Sequence, residues 1–191
     1  MGNIRTPYPV KFFVSVLTSI PTALKTAEER LEACYGPVEL KSEPFPFEKT
    51  HYYDREMGSP IRRVFLVFPG LISATLLPER KIETNRLEKQ IAAEYSEVPR
   101  PVNLDPGYLD QAKVVLASTK DFSHRLLVSE GIYAEVTLYF QGGEWRSWPW
   151  TFPDFRAGQY NAFLSQLRRI YREQLAGAGH RSKEILPDSP A

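Results

Sequence analysis

NLDPGYLDQAKVVLAST, residues 103–119, has two readings, and the fold of the second half of the chain depends on which one holds. As a helix, Asp105 is the N-cap and Pro106 takes the first helical position, where a missing N–H costs nothing. Tyr108, Leu109, Ala112, Val115, Leu116 and Thr119 then fall on one face. As a strand, KVVLAS (113–118) has the composition of a buried one. Cap and proline together favour the helix, and the apolar β-branched run keeps the strand open.

Upstream the signals are simpler. KFFVSVLTS (11–19), bounded by Pro9 and Pro21, reads as a buried strand. A helix follows from Pro21 or Thr22, with Leu24, Ala27, Leu31 and Cys34 at helical spacing and Gly36-Pro37 as its stop. VELKSEPF resumes as a strand, broken at Pro44 and Pro46, and IRRVFLVF (61–68) is another. In the next helix Leu87, Ile91 and Tyr95 share a face, and Asn85 with Glu88 reads as a variant capping box. Strand, helix, strand, strand, helix is the opening order of a ferredoxin-like sandwich.

Downstream of the ambiguous segment, GIYAEVTLYF (131–140) alternates. Ile132, Ala134, Val136, Leu138 and Phe140 point one way, and Tyr133, Glu135, Thr137 and Tyr139 the other. Gly142-Gly143 makes a tight turn into EWRSWPW. Tyr160, Phe163, Leu164, Leu167, Ile170, Tyr171 and Leu175 form the apolar stripe of a last helix. The expected architecture is therefore α+β: one domain over residues 1–175, a mainly antiparallel sheet with helices on one face, and a disordered tail over 176–191.

Composition narrows the function classes. With 24 basic and 23 acidic side chains the net charge is +1, which argues against a protein built to hold long nucleic acid. KFFVSVLTSI is short for a signal segment and leads straight into an amphipathic helix, and VFLVFPGLI cannot span a bilayer that needs about 20 residues, so no membrane association is expected. The single cysteine, Cys34, permits no intrachain disulfide and is expected to pack as a small hydrophobe, in keeping with a cytoplasmic protein. A Gly-x-x-x-x-Gly-Lys-Ser/Thr loop, a Gly-x-Gly-x-x-Gly fingerprint and a Gly-x-Ser-x-Gly elbow are all missing. His51, His124 and His180 lie far apart, without the spacing of a zinc site.

FPFEKTHYYDREMGSPIRRVF, KIETNRLEK, RPVNLDPGYLDQAKVVLASTKDFSHR, GIYAEVTLYF and WTFPDFR, in this order, resemble the family of domain of unknown function 4416 from about Lys11 to Leu175. The resemblance implies a single cytoplasmic domain without an established activity. Some members are described as GTP-binding, which the missing P-loop does not support here, and STKD is not the guanine-reading motif because its aspartate comes one residue early. The resemblance assigns no role to any residue.

STKDFSHR (118–125) gathers the donors Lys120, His124 and Arg125, which can hold a phosphate or carboxylate; the plainer account is a solvated turn. Glu135, in mid-strand, needs a cation such as Lys113, Lys120 or Arg125 if its face is covered. The expected site is a polar pocket for an anionic small molecule, a nucleotide or other phosphorylated metabolite. Lys113, Lys120, Arg125, Arg63, Arg100 and Tyr133 would bind it, with Glu135 and His124 as a proton-transfer pair. If Mg²⁺ takes part, Glu135, Asp105 and Glu56 are its candidate oxygen ligands. The alternative is a non-catalytic module that contacts RNA or protein through the edge of Trp145, Trp148 and Trp150 and the Arg168, Arg169 and Arg172 face of the last helix. The sequence leaves the oligomeric state open.

Overall fold

Every residue of β1 (Lys11–Thr18) is buried, because this strand runs between two neighbours with side chains packed on both of its faces. The structure, a computed structural model, describes residues 3–4, 6–48 and 53–180. The remaining strands in chain order are β2 (Leu40–Lys41), β3 (Phe45–Pro46), β4 (Arg62–Val67), β5 (Asn103–Leu109), β6 (Lys113–Ser118), β7 (Leu126–Ser129), β8 (Ile132–Gln141) and β9 (Glu144–Ser147). Helices are α1 (Pro21–Tyr35), α2 (Asp54–Met57), α3 (Leu77–Ala92), α4 (Pro153–Arg156) and α5 (Asn161–Gly177). The sheet order is β2-β4-β1-β5-β6-β8-β7, with β3 added to β4 and β9 to β8, and all pairings are antiparallel.

The α+β class with a mainly antiparallel sheet holds. The helices, expected on one face, occupy both. Phe12, Val14 and Val16 of β1 meet Ala23, Ala27 and Leu31 of α1 and Leu87 and Ile91 of α3. On the other side Phe13, Phe65, Leu109 and Val114 lie under Phe163, Leu164, Leu167 and Tyr171 of α5. A sheet with apolar residues on both faces needs two covers, since each large side chain left exposed forfeits about 1.5–3 kcal/mol.

Residues 103–119 form a hairpin of two strands, so the helical reading fails. Asp105 caps nothing; it lies within β5, whose seven residues pair with β1 from Lys11↔Leu109 to Leu17↔Asn103. One cap and one proline contribute about a kilocalorie each to a helix, less than a full ladder beside the central strand. Gly107 makes the pairing possible: a Cβ there would stand 2.6 Å from the Val115 carbonyl oxygen and 2.8 Å from Phe13 Cζ. Gly107→Ala should therefore destabilise the protein by roughly 1–3 kcal/mol, read as a lower urea midpoint with unchanged slope.

Other local expectations shift as well. The capping box at Asn85 is absent, because α3 begins at Leu77 with Pro78 in its first turn, and Asn85 is mid-helix. Cys34 is exposed, since α1 buries Ala23, Ala27 and Leu31 and turns the thiol outward. α5 continues to Gly177, and the His180 ring meets Tyr8 edge-on at 5.0 Å, so the tail expected from residue 176 does not start there; residues 181–191 lie outside the described residues. The alternation of β8 holds to Val136 and then breaks. Val115 pairs with Val136 and Val114 with Leu138, leaving Thr137 as the extra residue of a bulge. Leu138 thereby joins the face that carries Glu135 and packs with Phe13 and Phe65.

Candidate functional site: a cation-lined trough

α5 covers only part of its face of the sheet. Past Phe13 the same face presents Leu17 of β1, Arg63 of β4, Asp105 of β5, Ser118 of β6 and Glu135 of β8, and these line a trough of about 390 Å³. With adjacent strands about 4.8 Å apart, the four steps from β4 to β8 span roughly 19 Å. Phe152 to Phe155 form one wall, Thr119, Lys120 and Phe122 another, and Phe47 and Tyr53 close the end by Arg63. Arg63, Lys81, Arg100, Lys120 and Arg125 line it against three carboxylates, Asp105, Glu135 and Asp154.

Three buried ion pairs set the geometry. At one end Arg63 gives one Nη to Asp154 Oδ2 at 2.9 Å and the other to Ser15 Oγ, and Tyr160 donates its hydroxyl to the same Asp154 oxygen at 2.7 Å. The guanidinium lies between 5.1 and 5.6 Å from the ring centroids of Phe155, Phe47 and Tyr160. Burial opposes its charge, yet Asp154 more than compensates and holds the group protonated. Burial also pushes the Tyr160 phenol well up.

In the middle, Lys81 reaches across from α3, which covers the opposite face. The strand pairing of β5 with β6 ends at Gly107↔Leu116, and beyond that point Lys81 Nζ donates to Leu104 O at 2.9 Å and Asp105 Oδ1 at 3.1 Å. Asn103 Nδ2 donates to Asp105 Oδ2 at 2.5 Å. Burial favours the neutral acid, but Lys81 and Arg63 outweigh it and hold the Asp105 carboxyl below its ordinary range. Arg100 donates to Asn103 Oδ1 and to Glu88 Oε2 at 3.0 Å, under the Tyr53 ring. Glu88, whose other oxygen accepts from the Leu104 N–H at 2.7 Å, is pushed up by burial.

At the far end Glu135 Oε2 accepts from Arg125 Nε at 2.7 Å and meets His124 Nε2 at 3.2 Å, with Thr137 Oγ1 3.3 Å from Oε1. Arg125 Nη1 donates to Ser118 Oγ at 2.8 Å and Lys120 O at 2.9 Å. STKDFSHR is thus a turn closed on itself by Arg125. His124 stands behind the wall, its ring stacked between Phe122 at 6.0 Å and Trp150 at 5.8 Å.

Five residues singled out from the sequence, Arg63, Arg100, Lys120, Arg125 and Glu135, line the trough, and Asp105 does too. Lys113 does not. Once residues 103–119 form a hairpin, it starts β6 at the end remote from Ser118, roughly 17 Å along the strand, and pairs with Asp110. Tyr133 is half-buried opposite Ser118 and Leu127, outside the lining. Glu56 sits on α2, 3.9 Å from Arg100. Among the described residues no three of His, Cys, Asp and Glu gather as ion ligands, so Glu135, Asp105 and Glu56 do not converge. His51 and Tyr52 lie outside the described residues. The sequence reading did not place Lys81 or Asp154 in the site. A usable signal existed for the first: Lys81 interrupts the buried stripe Leu77, Thr84, Leu87, Ile91 of α3.

The family described as domain of unknown function (DUF4416) matches residues 8–171, which include every residue lining the trough. The chain belongs to the DUF4416 family. Comparison with curated proteins and with solved structures returned no match. In this DUF4416 protein no helix among the described residues is long and apolar enough to cross a membrane.

Proposed function

We propose that the trough binds a small anionic molecule, a nucleotide or another phosphorylated metabolite, in the cytoplasm, where a lone exposed thiol such as Cys34 stays reduced. One observation carries this reading: five cationic side chains face three carboxylates around a single cavity of about 390 Å³. The three acids each pair with one buried cation, Arg100 pairs with Glu88, and Lys120 lines the cavity from an exposed position. Binding suits the geometry better than proton transfer does. The Glu135 oxygen that faces His124 also accepts from Arg125, and a guanidinium so close favours the ionised carboxylate over a protonated one.

A thermal-shift screen of phosphorylated metabolites, with and without Mg²⁺, tests the reading. A ligand at 100 times its Kd adds about 2.7 kcal/mol, which for a chain of this size raises Tm by roughly 5–10 °C. Lys120→Ala, at an exposed position, should weaken binding about tenfold by removing one charge-assisted contact. A flat screen on folded protein would remove this reading.

A second reading has its own observation. Leu126, Leu127 and Val128 of β7 stand exposed at the end of the sheet, and Phe122, Trp150 and Phe152 are exposed as well. An apolar edge strand suits a protein partner that adds a strand of its own. The arginine face adds less, since Arg168 packs 3.7 Å over the Phe140 ring and donates to Gln111 O, and Trp145 is buried in the core. Leu127→Lys would abolish capture of such a partner and leave any ligand-induced shift intact.

A further inference from the structure

Asp105 differs from the other two acids of the trough. The side chains of Glu135 and Asp154 are 1% and 3% exposed, whereas Asp105 is 27% exposed and lines the middle of the cavity. Each of its oxygens accepts one bond from the protein, Oδ1 from Lys81 Nζ and Oδ2 from Asn103 Nδ2. A carboxylate offers about four lone-pair sites, so each oxygen can accept a further hydrogen bond. The surrounding Lys81 and Arg63 keep it ionised.

A bare anion placed here would meet a fixed negative charge. Repulsion between the two like charges offsets part of what the cations supply. Two adjacent hydroxyl donors would instead each find an acceptor. Asp105 lies two residues before Gly107 on β5, and Ser118 two residues after Leu116 on the antiparallel β6, so Asp105 stands level with the start of the turn that carries Lys120. A donor pair at Asp105 and an anionic group at Lys120 or Arg100 can belong to one small molecule.

We infer that Asp105 is the specificity-determining residue of the trough, selecting a phosphorylated sugar with a free vicinal diol, alone or as the ribose of a nucleotide, over bare anions. This rests on the trough being an anion site. Glu135 and Arg125 shape the far wall, and Asp105 reads the ligand.

Calorimetric titration of the full chain with ribose 5-phosphate, 2-deoxyribose 5-phosphate, adenosine 5′-monophosphate, its 2′-deoxy form and inorganic pyrophosphate separates the possibilities. The expected result is at least tenfold tighter binding of each ribose compound than of its deoxy partner, and of both than of pyrophosphate. Asp105→Asn, verified as folded by circular dichroism, should erase that preference. The comparison within the unaltered protein stands even if the variant does not fold. Tighter binding of the nucleotide than of ribose 5-phosphate would identify a nucleotide as the source of the diol, and the reverse a free sugar phosphate. Equal affinity for ribose and deoxyribose compounds would overturn the role of Asp105 and leave the anion site standing. No heat from any probe, pyrophosphate included, would overturn both.

Discussion

Glu135→Ala is expected to lower the unfolding free energy by about 3–5 kcal/mol, the range for removing one partner of a buried ion pair. Its carboxylate is the shared acceptor for Arg125 and His124, and the Glu135 and Arg125 side chains are 1% and 5% exposed. Without it the guanidinium keeps Ser118 and Lys120 O as partners but has no counter-charge inside the wall. For a chain of this size each kilocalorie corresponds to about 2–4 °C, so Tm should fall by roughly 6–20 °C. Glu135→Gln retains the shape and one acceptor oxygen and should cost less. The double variant Glu135→Leu with Arg125→Met should regain much of the loss, because the penalty lies in the unpaired charge and not in the missing contact. Urea denaturation of the four proteins measures this; a loss under about 1 kcal/mol in Glu135→Ala would mean that water solvates Arg125 in place.

The second large effect lies at the other end of the trough. Asp154→Ala leaves Arg63 without its carboxylate and Tyr160 without its acceptor, among the rings of Phe47, Phe155 and Tyr160. Arg63 Nε already has no partner there. A loss of about 3–5 kcal/mol is expected. Arg63→Lys should also be poorly tolerated, since one ammonium cannot span Ser15 and Asp154 while stacking on three rings. The two pairs are four strands apart, so their losses should add within about 0.5 kcal/mol. Together they approach the whole stability of a typical domain, about 5–15 kcal/mol. Glu135→Ala combined with Asp154→Ala should therefore be largely unfolded at 25 °C by circular dichroism.

Much of the site was legible because charged residues inside apolar patterns are conspicuous. Glu135, between Ala134 and Val136, stood out as a group that would need a partner, and Arg63, before the run Val64–Phe68, as a candidate to bind an anion. Their partners did not. Asp154 arrives from α4, on the far side of β9, and Lys81 from the face of the sheet opposite the trough. No spacing rule connects residues 63 and 154, or 81 and 105, because what joins them is strand order.

Periodicity by itself determined β1, α1, β4, the buried face of α3, the first half of β8 and the stripe of α5. Each of these buries one set of residues whatever its neighbours are, and that burial is written locally as a repeat of 2 or 3.6. The tertiary structure alone decided residues 103–119, the bulge at Thr137 and the partners Lys81 and Asp154 that complete the trough. Asp105-Pro106 is a good helix start in isolation, yet β1 offers a ladder that no local signal can match. Once that ladder forms, Asp105 changes from a cap into the partly exposed carboxylate of the trough, and Lys113 moves out of it.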